Sequence, residues 1–153
     1  MKKIFILIII LFISACGYHL RAANSLAKNY PQLQLSINNQ SLLKQPLIKA
    51  LIASDVKLLE QSDNKLHITK DSLRKVIQSI GANNQVQEYR LEYDVEYQLA
   101  DLNKKTVHLE RDYSFDIQQI TGGQQEEQTL RKQLSEDMAW AIIRQINASI
   151  NNK

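Results

Sequence analysis

Several residue types are scarce in this sequence, and each scarcity excludes a class of protein. Only 4 glycines and 2 prolines occur in 153 residues, which argues against a loop-rich, collagenous or low-complexity chain. The single cysteine, Cys16, excludes an internal disulfide and a zinc site built from cysteines. Without Lys2 and Lys3, which lie in a predicted leader, 17 basic residues stand against 16 acidic ones. This balance excludes nucleic-acid binding driven by bulk charge, while a hydrophobic share of 44% is enough for a buried core.

The N-terminus has the pattern of a secretory leader. Lys2 and Lys3 are followed by an uninterrupted apolar run from Ile4 to Ile13. A positive start followed by such a run is typical of a signal peptide, because spanning a bilayer needs about 20 apolar residues. We therefore predict that residues 1–15 form a cleaved signal peptide.

The end of this leader has the sequence of a bacterial lipobox. Ile13-Ser14-Ala15-Cys16 places two small residues before a cysteine, whose sulfur accepts a diacylglycerol before cleavage. Two or more acyl chains anchor a protein stably to a membrane. We predict that Cys16 is lipidated and that residues 16–31 form a lipidated tether. Gly17 stands where Asp would signal inner-membrane retention in bacterial lipoproteins, which favours the outer membrane. The alternative, a plain signal peptide, leaves Cys16 as a free thiol.

The chain after the tether predicts a single domain over residues 32–153. Residues 85–100 alternate between apolar odd positions and polar even positions, which is the pattern of a two-faced strand. The alternation resumes after a turn, so residues 85–119 are predicted to form an antiparallel hairpin. Thr121-Gly122-Gly123 is expected to break the strand, and an apolar stripe predicts a helix over about residues 125–149.

Shorter patterns predict the remaining elements. Residues 32–37 favour a first strand, and residues 46–54 favour a short helix that begins at a proline. Over residues 65–80 the apolar phase changes, which predicts a strand with a bulge near Lys70 to Ser72. A helix over residues 71–79 is the alternative. The order β-α-β-β-β-α predicts an α+β fold, with two helices packed on one face of a four-stranded, mostly antiparallel sheet.

The sequence offers no constellation of catalytic or metal-binding residues. It has no Gly-rich phosphate loop, no G-x-S-x-G nucleophile elbow and no H-E-x-x-H motif, and its three histidines are scattered. The adjacent carboxylates Glu126-Glu127 and Glu136-Asp137 diverge by about 100° per residue on a helix, so we interpret them as solvated charges. We predict that the protein is not an enzyme, has no cofactor or metal, and serves in binding or scaffolding.

The predicted mature start carries a resemblance to a known family. Cys16-Gly17-Tyr18-His19-Leu20-Arg21 resembles the start of the LptE lipoproteins, which begin Cys-Gly-aromatic-His-Leu-Arg. The segment 85–91, with Glu88-Tyr89-Arg90-Leu91 opening a long strand, is similar to the second signature of that family. Pro46-Leu47 and Ile142-Ile143-Arg144-Gln145-Ile146 also fit, so the resemblance covers nearly the whole mature chain.

This resemblance implies a fold and a function. The fold is that of two helices on a four-stranded sheet, and the function is not enzymatic. An LptE protein plugs the lumen of the outer-membrane β-barrel LptD in a one-to-one complex, helps the barrel to assemble, and contacts lipopolysaccharide on its way to the cell surface. Basic residues near two loops of relatives are linked to that contact. The nearest equivalents here, residues 82–84 and Gly122-Gly123, are uncharged, which departs from the family pattern.

The implied function points to particular residues of this chain. The acidic strand face that includes Glu92 and Glu96 suits a polar barrel lumen, although it equally suits open solvent. Trp140 lies off the apolar stripe of the last helix, where it is either a partner anchor or part of a broad core face. Cations can reach lipid A phosphates from strand tips, or they can simply solubilise the surface. The candidate cations are Lys70, Arg74, Lys75, Lys104 and Lys105.

A second functional hypothesis is a free-standing periplasmic lipid-binding lipoprotein without a barrel partner. Such a protein would hold its ligand between sheet and helices. It predicts a cavity among Tyr89, Tyr93, Tyr97, Leu134 and Met138, where the first hypothesis predicts a filled core.

Overall fold

The computed structural model describes residues 25–115 and 120–151. The predictions for residues 1–24, including lipidation of Cys16, and for the end of the hairpin over residues 116–119 lie outside the described residues. In chain order the elements are α1 (Ser25–Asn29), β1 (Gln32–Ser36), α2 (Lys44–Ala53), β2 (Lys57–Leu58), β3 (Lys65–Ile80), β4 (Val86–Leu99), β5 (Lys105–Ser114) and α3 (Ile120–Asn151).

The strands form one open sheet in the order β2-β1-β3-β4-β5. β1 lies parallel to β2 and to β3, whereas β3, β4 and β5 pair antiparallel through long ladders. α2 is the crossover that connects the parallel strands β1 and β2, as parallel pairing requires. The sheet therefore joins a small parallel edge to a long antiparallel meander, and the mixed α+β class is confirmed.

The alternation in β4 gives the sheet one covered face and one open face. Its inward side chains are at most 2% exposed and comprise Leu91, Tyr93, Val95, Tyr97 and Leu99. α3 contacts β4 and β5, α2 packs against α3, and Leu134, Met138 and Ile142 of α3 are at most 1% exposed. Burying each such side chain stabilises the fold by about 1.5–3 kcal/mol. The predicted two-faced strand and the apolar helical stripe are thus confirmed.

β3 decides between the two predictions for residues 71–79. It is a continuous strand of 16 residues, so the helical alternative is wrong. Its ladder with β4 shifts register at Thr69, next to the bulge predicted near Lys70, and twice more near its end, at Gln78 and after Ser79. One extra residue moves the following side chains to the other face, which explains the phase change in the sequence.

The predicted count of four strands and two helices is wrong in detail, since the described residues hold five strands and three helices. The additional strand, β2, is only two residues long and pairs with β1. Two residues are too few for any alternation to appear. The additional helix, α1, lies within the segment predicted as a tether. Its Leu26 is fully buried, so tertiary packing stabilises a helix that is too short to form alone.

α3 begins earlier than its predicted start near residue 125. The helix starts at Ile120 and includes Gly122 and Gly123, which we expected to break the strand. Glycine is unfavourable mainly in a helix interior, and these two lie in the first turn. A Cβ on Gly123 would meet the Phe115 ring at 3.6 Å, which is an ordinary van der Waals contact.

Candidate functional site

The open face of the sheet carries a network of paired charges. Arg74 of β3 bonds Glu92 at 3.1 Å and Asp94 at 3.2 Å, both on β4. Arg90 of β4 bonds Asp112 of β5 through Nε at 2.6 Å and Nη2 at 2.9 Å. Opposite charges directly across a ladder stabilise a sheet modestly and fix its register. Glu92 therefore lies on the polar face of the sheet as one half of an ion pair, and its contact with a partner stays a prediction.

The network continues toward the turn between β4 and β5. His108 Nδ1 lies 2.8 Å from Asp94 Oδ1, and this hydrogen bond lowers the pKa of Asp94 and raises the pKa of His108. Hydrogen bonds from Thr69 and Lys104 lower the pKa of Glu96. The open face is thus polar along β4, and each of these three acidic or basic groups is neutralised locally.

The predicted cations are not all at strand tips. Lys70 and Arg74 lie within β3 and pair in the ladder with Glu96 and Glu92, so they belong to the middle of the open face. The prediction of a tip position is wrong for these residues and for Lys75, because all three lie inside the continuous strand that runs from Lys65 to Ile80.

The cations of the turn between β4 and β5 lie where they were predicted. Lys104 precedes β5 and bonds Glu96 at 3.2 Å, while Lys105 begins β5 and bonds Ser149 Oγ of α3 at 2.6 Å. Their proposed contact with lipopolysaccharide stays a prediction.

Lys75 lies on the helix-covered side of the sheet, in a cluster with Glu127 of α3. Its Nζ is 2.7 Å from Glu127 Oε2 and 3.9 Å from the centroid of the Tyr89 ring. The Tyr113 hydroxyl and Arg131 Nε also donate to Glu127, at 2.7 Å and 2.8 Å. Burial alone would raise the pKa of Glu127, but these three donors outweigh it and lower the pKa to about 2. The expectation that Glu127 is merely a solvated charge is wrong.

Trp140 lies on the edge of a groove between α2 and α3. Its side chain is 41% exposed, in agreement with its position off the apolar stripe. The groove measures about 630 Å³, and its apolar lining comes from Leu42, Pro46, Ala50, Ala53 and Trp140. This volume falls within the range of about 300–1,000 Å³ that is usual for ligand pockets. Whether a partner contacts Trp140 stays a prediction.

The comparison with protein families decides which family this arrangement represents. The profile of the family described as LptE, lipopolysaccharide-assembly, matches residues 30–146. The chain belongs to the LptE family. The match spans β1 to α3 and therefore most of the described fold. LptE is not a family of enzymes, and membership supports a role in lipopolysaccharide assembly.

Solved structures with the same fold are also lipoproteins. The chain is 23% identical to the rare lipoprotein B of Shewanella oneidensis, with a TM-score of 0.71 over 79% of this chain and 97% of that one. The lipoprotein B of Nitrosomonas europaea shares 21% identity, with a TM-score of 0.71 over 88% and 93%. A minor lipoprotein of Acinetobacter baumannii shares 25% identity, with a TM-score of 0.68 over 78% and 92%. No curated protein matches the sequence significantly.

The described part of this LptE chain lacks two kinds of feature. Residues 25–115 and 120–151 contain no cluster of three or more His, Cys, Asp or Glu side chains arranged to hold a metal ion. No helix in the same residues is both long and apolar enough to cross a membrane.

The sequence did not reveal the groove between α2 and α3 or the cluster around Glu127. Both bring together residues that are far apart in the chain, such as Lys75 and Glu127, which are separated by 52 positions. The one local signal was Trp140, a large apolar residue on the polar side of its helix.

The second functional hypothesis predicted a lipid cavity between sheet and helices. The side chains expected around that cavity instead pack in the core, where Tyr93, Tyr97, Leu134 and Met138 are at most 2% exposed.

Proposed function

We propose that the protein is an outer-membrane lipoprotein that occupies the lumen of an LptD-type β-barrel in a one-to-one complex. It helps the barrel to assemble and assists the insertion of lipopolysaccharide at the cell surface. Acyl chains on Cys16 hold it to the membrane on the periplasmic side. Membership in the LptE family is the starting point for this proposal.

The open face of the sheet is the observation that carries the proposal. The interior of a barrel that encloses water is polar, so a plug needs a polar wall. Burying an unpaired charge against another protein is costly, whereas burying a charge that already has a partner costs far less. The pairs Arg74–Glu92 and Lys104–Glu96 supply such partners on this face. We therefore infer that Glu92 and Glu96 lie against the barrel wall and that Trp140 provides an apolar anchor.

Contact with lipopolysaccharide requires cations that can meet phosphate. Lys70 is the strongest candidate on the open face, because it forms no ion pair within 4.0 Å to any described residue. Lys104 and Lys105 lie at the strand end, where a phosphate could replace Glu96 or Ser149 as a partner. Arg74 and Lys75 would have to leave carboxylates, so we expect them to contribute less.

Co-purification from detergent-extracted outer membranes tests this function. The affinity-tagged chain is expected to bring down a large heat-modifiable barrel in a one-to-one ratio. Cys16→Ala is the matched variant for the anchor, because it removes the thiol that accepts the lipid and should abolish labelling of the chain with radioactive palmitate. A lone lipoprotein, isolated while the endogenous barrel is demonstrably present in the extract, contradicts the proposal. Stoichiometric lipid in that lone protein would favour the free-standing lipid binder.

A further inference from the structure

The groove between α2 and α3 has an apolar floor and exposed apolar edges. Pro46, Ala50 and Ala53 of α2 contribute small or compact side chains to the lining. Leu42 and Trp140 also line the groove and are 55% and 41% exposed. Trp is enriched among the residues that dominate binding energy at interfaces. These two large exposed side chains can contact apolar groups of an occupant.

Cationic side chains outnumber carboxylates in the lining of the groove. Its lining contains three cations, Lys49, Arg131 and Lys132, and one carboxylate, Glu136. Arg131 is bound to Glu127, but neither Lys49 nor Lys132 forms an ion pair with another residue that the structure describes. This contrasts with the open sheet face, where most charges are paired. An occupant that carries carboxylates would complement the two free ammonium groups.

The polar groups of the lining favour a peptide over an acyl chain. Gln45 and Gln128 line the groove, and their exposed side-chain amides have no hydrogen-bond partner in the part of the chain that is described. Amides match the donors and acceptors of a peptide main chain, whereas an acyl chain offers neither. The groove is also partly open to solvent, so an acyl chain would keep one flank in water.

We infer that this groove binds an acidic segment of the partner barrel, whose apolar side chains contact Leu42 and Trp140. The inference rests on the proposed function, because that function supplies the barrel as partner. It adds a defined surface, α2 with the middle of α3, that lies apart from the open sheet face. The carboxylates of the segment pair with Lys49 and Lys132.

Site-directed photo-crosslinking in the intact membrane complex tests this inference. Benzoylphenylalanine replaces Trp140 or Leu42 in the groove, and it replaces Ile52 as the control. Ile52 lies on α2 and is 59% exposed, but it does not line the groove. Both groove positions should crosslink to one barrel peptide that contains carboxylates and a large apolar residue, while position 52 should not. Mass spectrometry identifies the peptide.

A charge-reversal experiment provides the second readout. Lys49→Glu combined with Lys132→Glu should lower the yield of co-purified barrel at least fivefold at low salt, and high salt should narrow the difference. Lys28→Glu, an exposed change on α1 outside both the groove and the open sheet face, is the control and should leave the yield unchanged.

The outcomes separate this inference from the function on which it rests. If the barrel co-purifies but the groove positions give no adduct with it, only the groove inference is overturned. Adducts with lipid or with a second copy of this chain overturn it as well. If no barrel co-purifies from an extract that contains it, the proposed function and the groove inference fall together.

Discussion

Lys75 and Glu127 form an ion pair 2.7 Å long that ties the middle of β3 to the first part of α3. The lysine also lies over the Tyr89 ring, so one ammonium group contacts both an acidic and an aromatic partner. Before Leu134 the described side chains of α3 are exposed or only partly buried. The cluster around Glu127 therefore holds a segment of the helix that the hydrophobic core holds weakly.

Glu127→Gln should destabilise the fold by about 1–2 kcal/mol at pH 7, a value that allows for partial screening by solvent. The pKa of Glu127 is lowered from 4.5 to about 2, so its contribution is complete above pH 4.5 and is lost as the pH falls toward 2. Urea unfolding of both proteins between pH 7 and pH 2.5 measures the effect, and their difference should shrink over that window. The neighbouring Glu126→Gln is the control. A difference that does not depend on pH would contradict the assignment.

The pKa of His108 should fall toward 6.5 in Asp94→Asn. Its hydrogen bond to Asp94 raises the pKa of the imidazole above 6.5, so the pair stabilises the sheet below that pH and loses its effect as the pH rises through the pKa of the folded state. The ¹H–¹³C NMR titration of the ring reports this pKa directly. Asp101→Asn, in the turn, serves as the control and should leave the titration of His108 in place.

Leu26→Ala should cost about 2–5 kcal/mol, because Leu26 is fully buried and its truncation leaves a cavity. The free energy of unfolding, measured with urea, gives this cost. Lys28→Ala, an exposed change in the same short helix, should have an effect within about 0.5 kcal/mol. Equal, small effects would show that α1 is a loose part of the tether and does not belong to the domain.

Ala100→Gly should stabilise the protein by about 0.5–1 kcal/mol. Ala100 follows β4 with a φ of 46°, a left-handed conformation that strains residues with a Cβ and that glycine adopts without strain. Ala148→Gly, on an exposed position of α3, should have the opposite sign, because glycine is unfavourable in helices by about 1 kcal/mol. Comparison of the two melting temperatures checks both signs; a destabilising change at residue 100 contradicts the argument.

The sequence predicted best the elements that have one buried face and one exposed face. In β4, Tyr93 and Tyr97 face the helices while Glu92 and Glu96 face away, so the burial of one face produces an alternation of apolar and polar residues in the sequence. In α3, burial of one face produces an apolar pattern with the period of a helix. β2 and α1 escaped prediction because their pairing and packing depend on distant residues, and they are too short to show a period.

The candidate site was less predictable, since a site depends on which residues meet across the fold. The sequence placed Trp140 off the apolar stripe, where the structure leaves it 41% exposed, and it placed Lys104 and Lys105 at a turn. It grouped Lys70, Arg74 and Lys75 as neighbours, yet the Lys75 side chain lies on the opposite face of the sheet from the other two. No local pattern pairs Lys75 with a carboxylate 52 positions away.

Trp140 is the only tryptophan in the chain, and it is 41% exposed on the edge of the groove. Intrinsic fluorescence excited at the indole band therefore reports on one surface location rather than on the core. Its emission will change little when the free protein unfolds, because the indole already meets water. A blue shift in the folded protein will instead signal that the groove has been covered, which gives each purified sample a built-in optical reporter of occupancy.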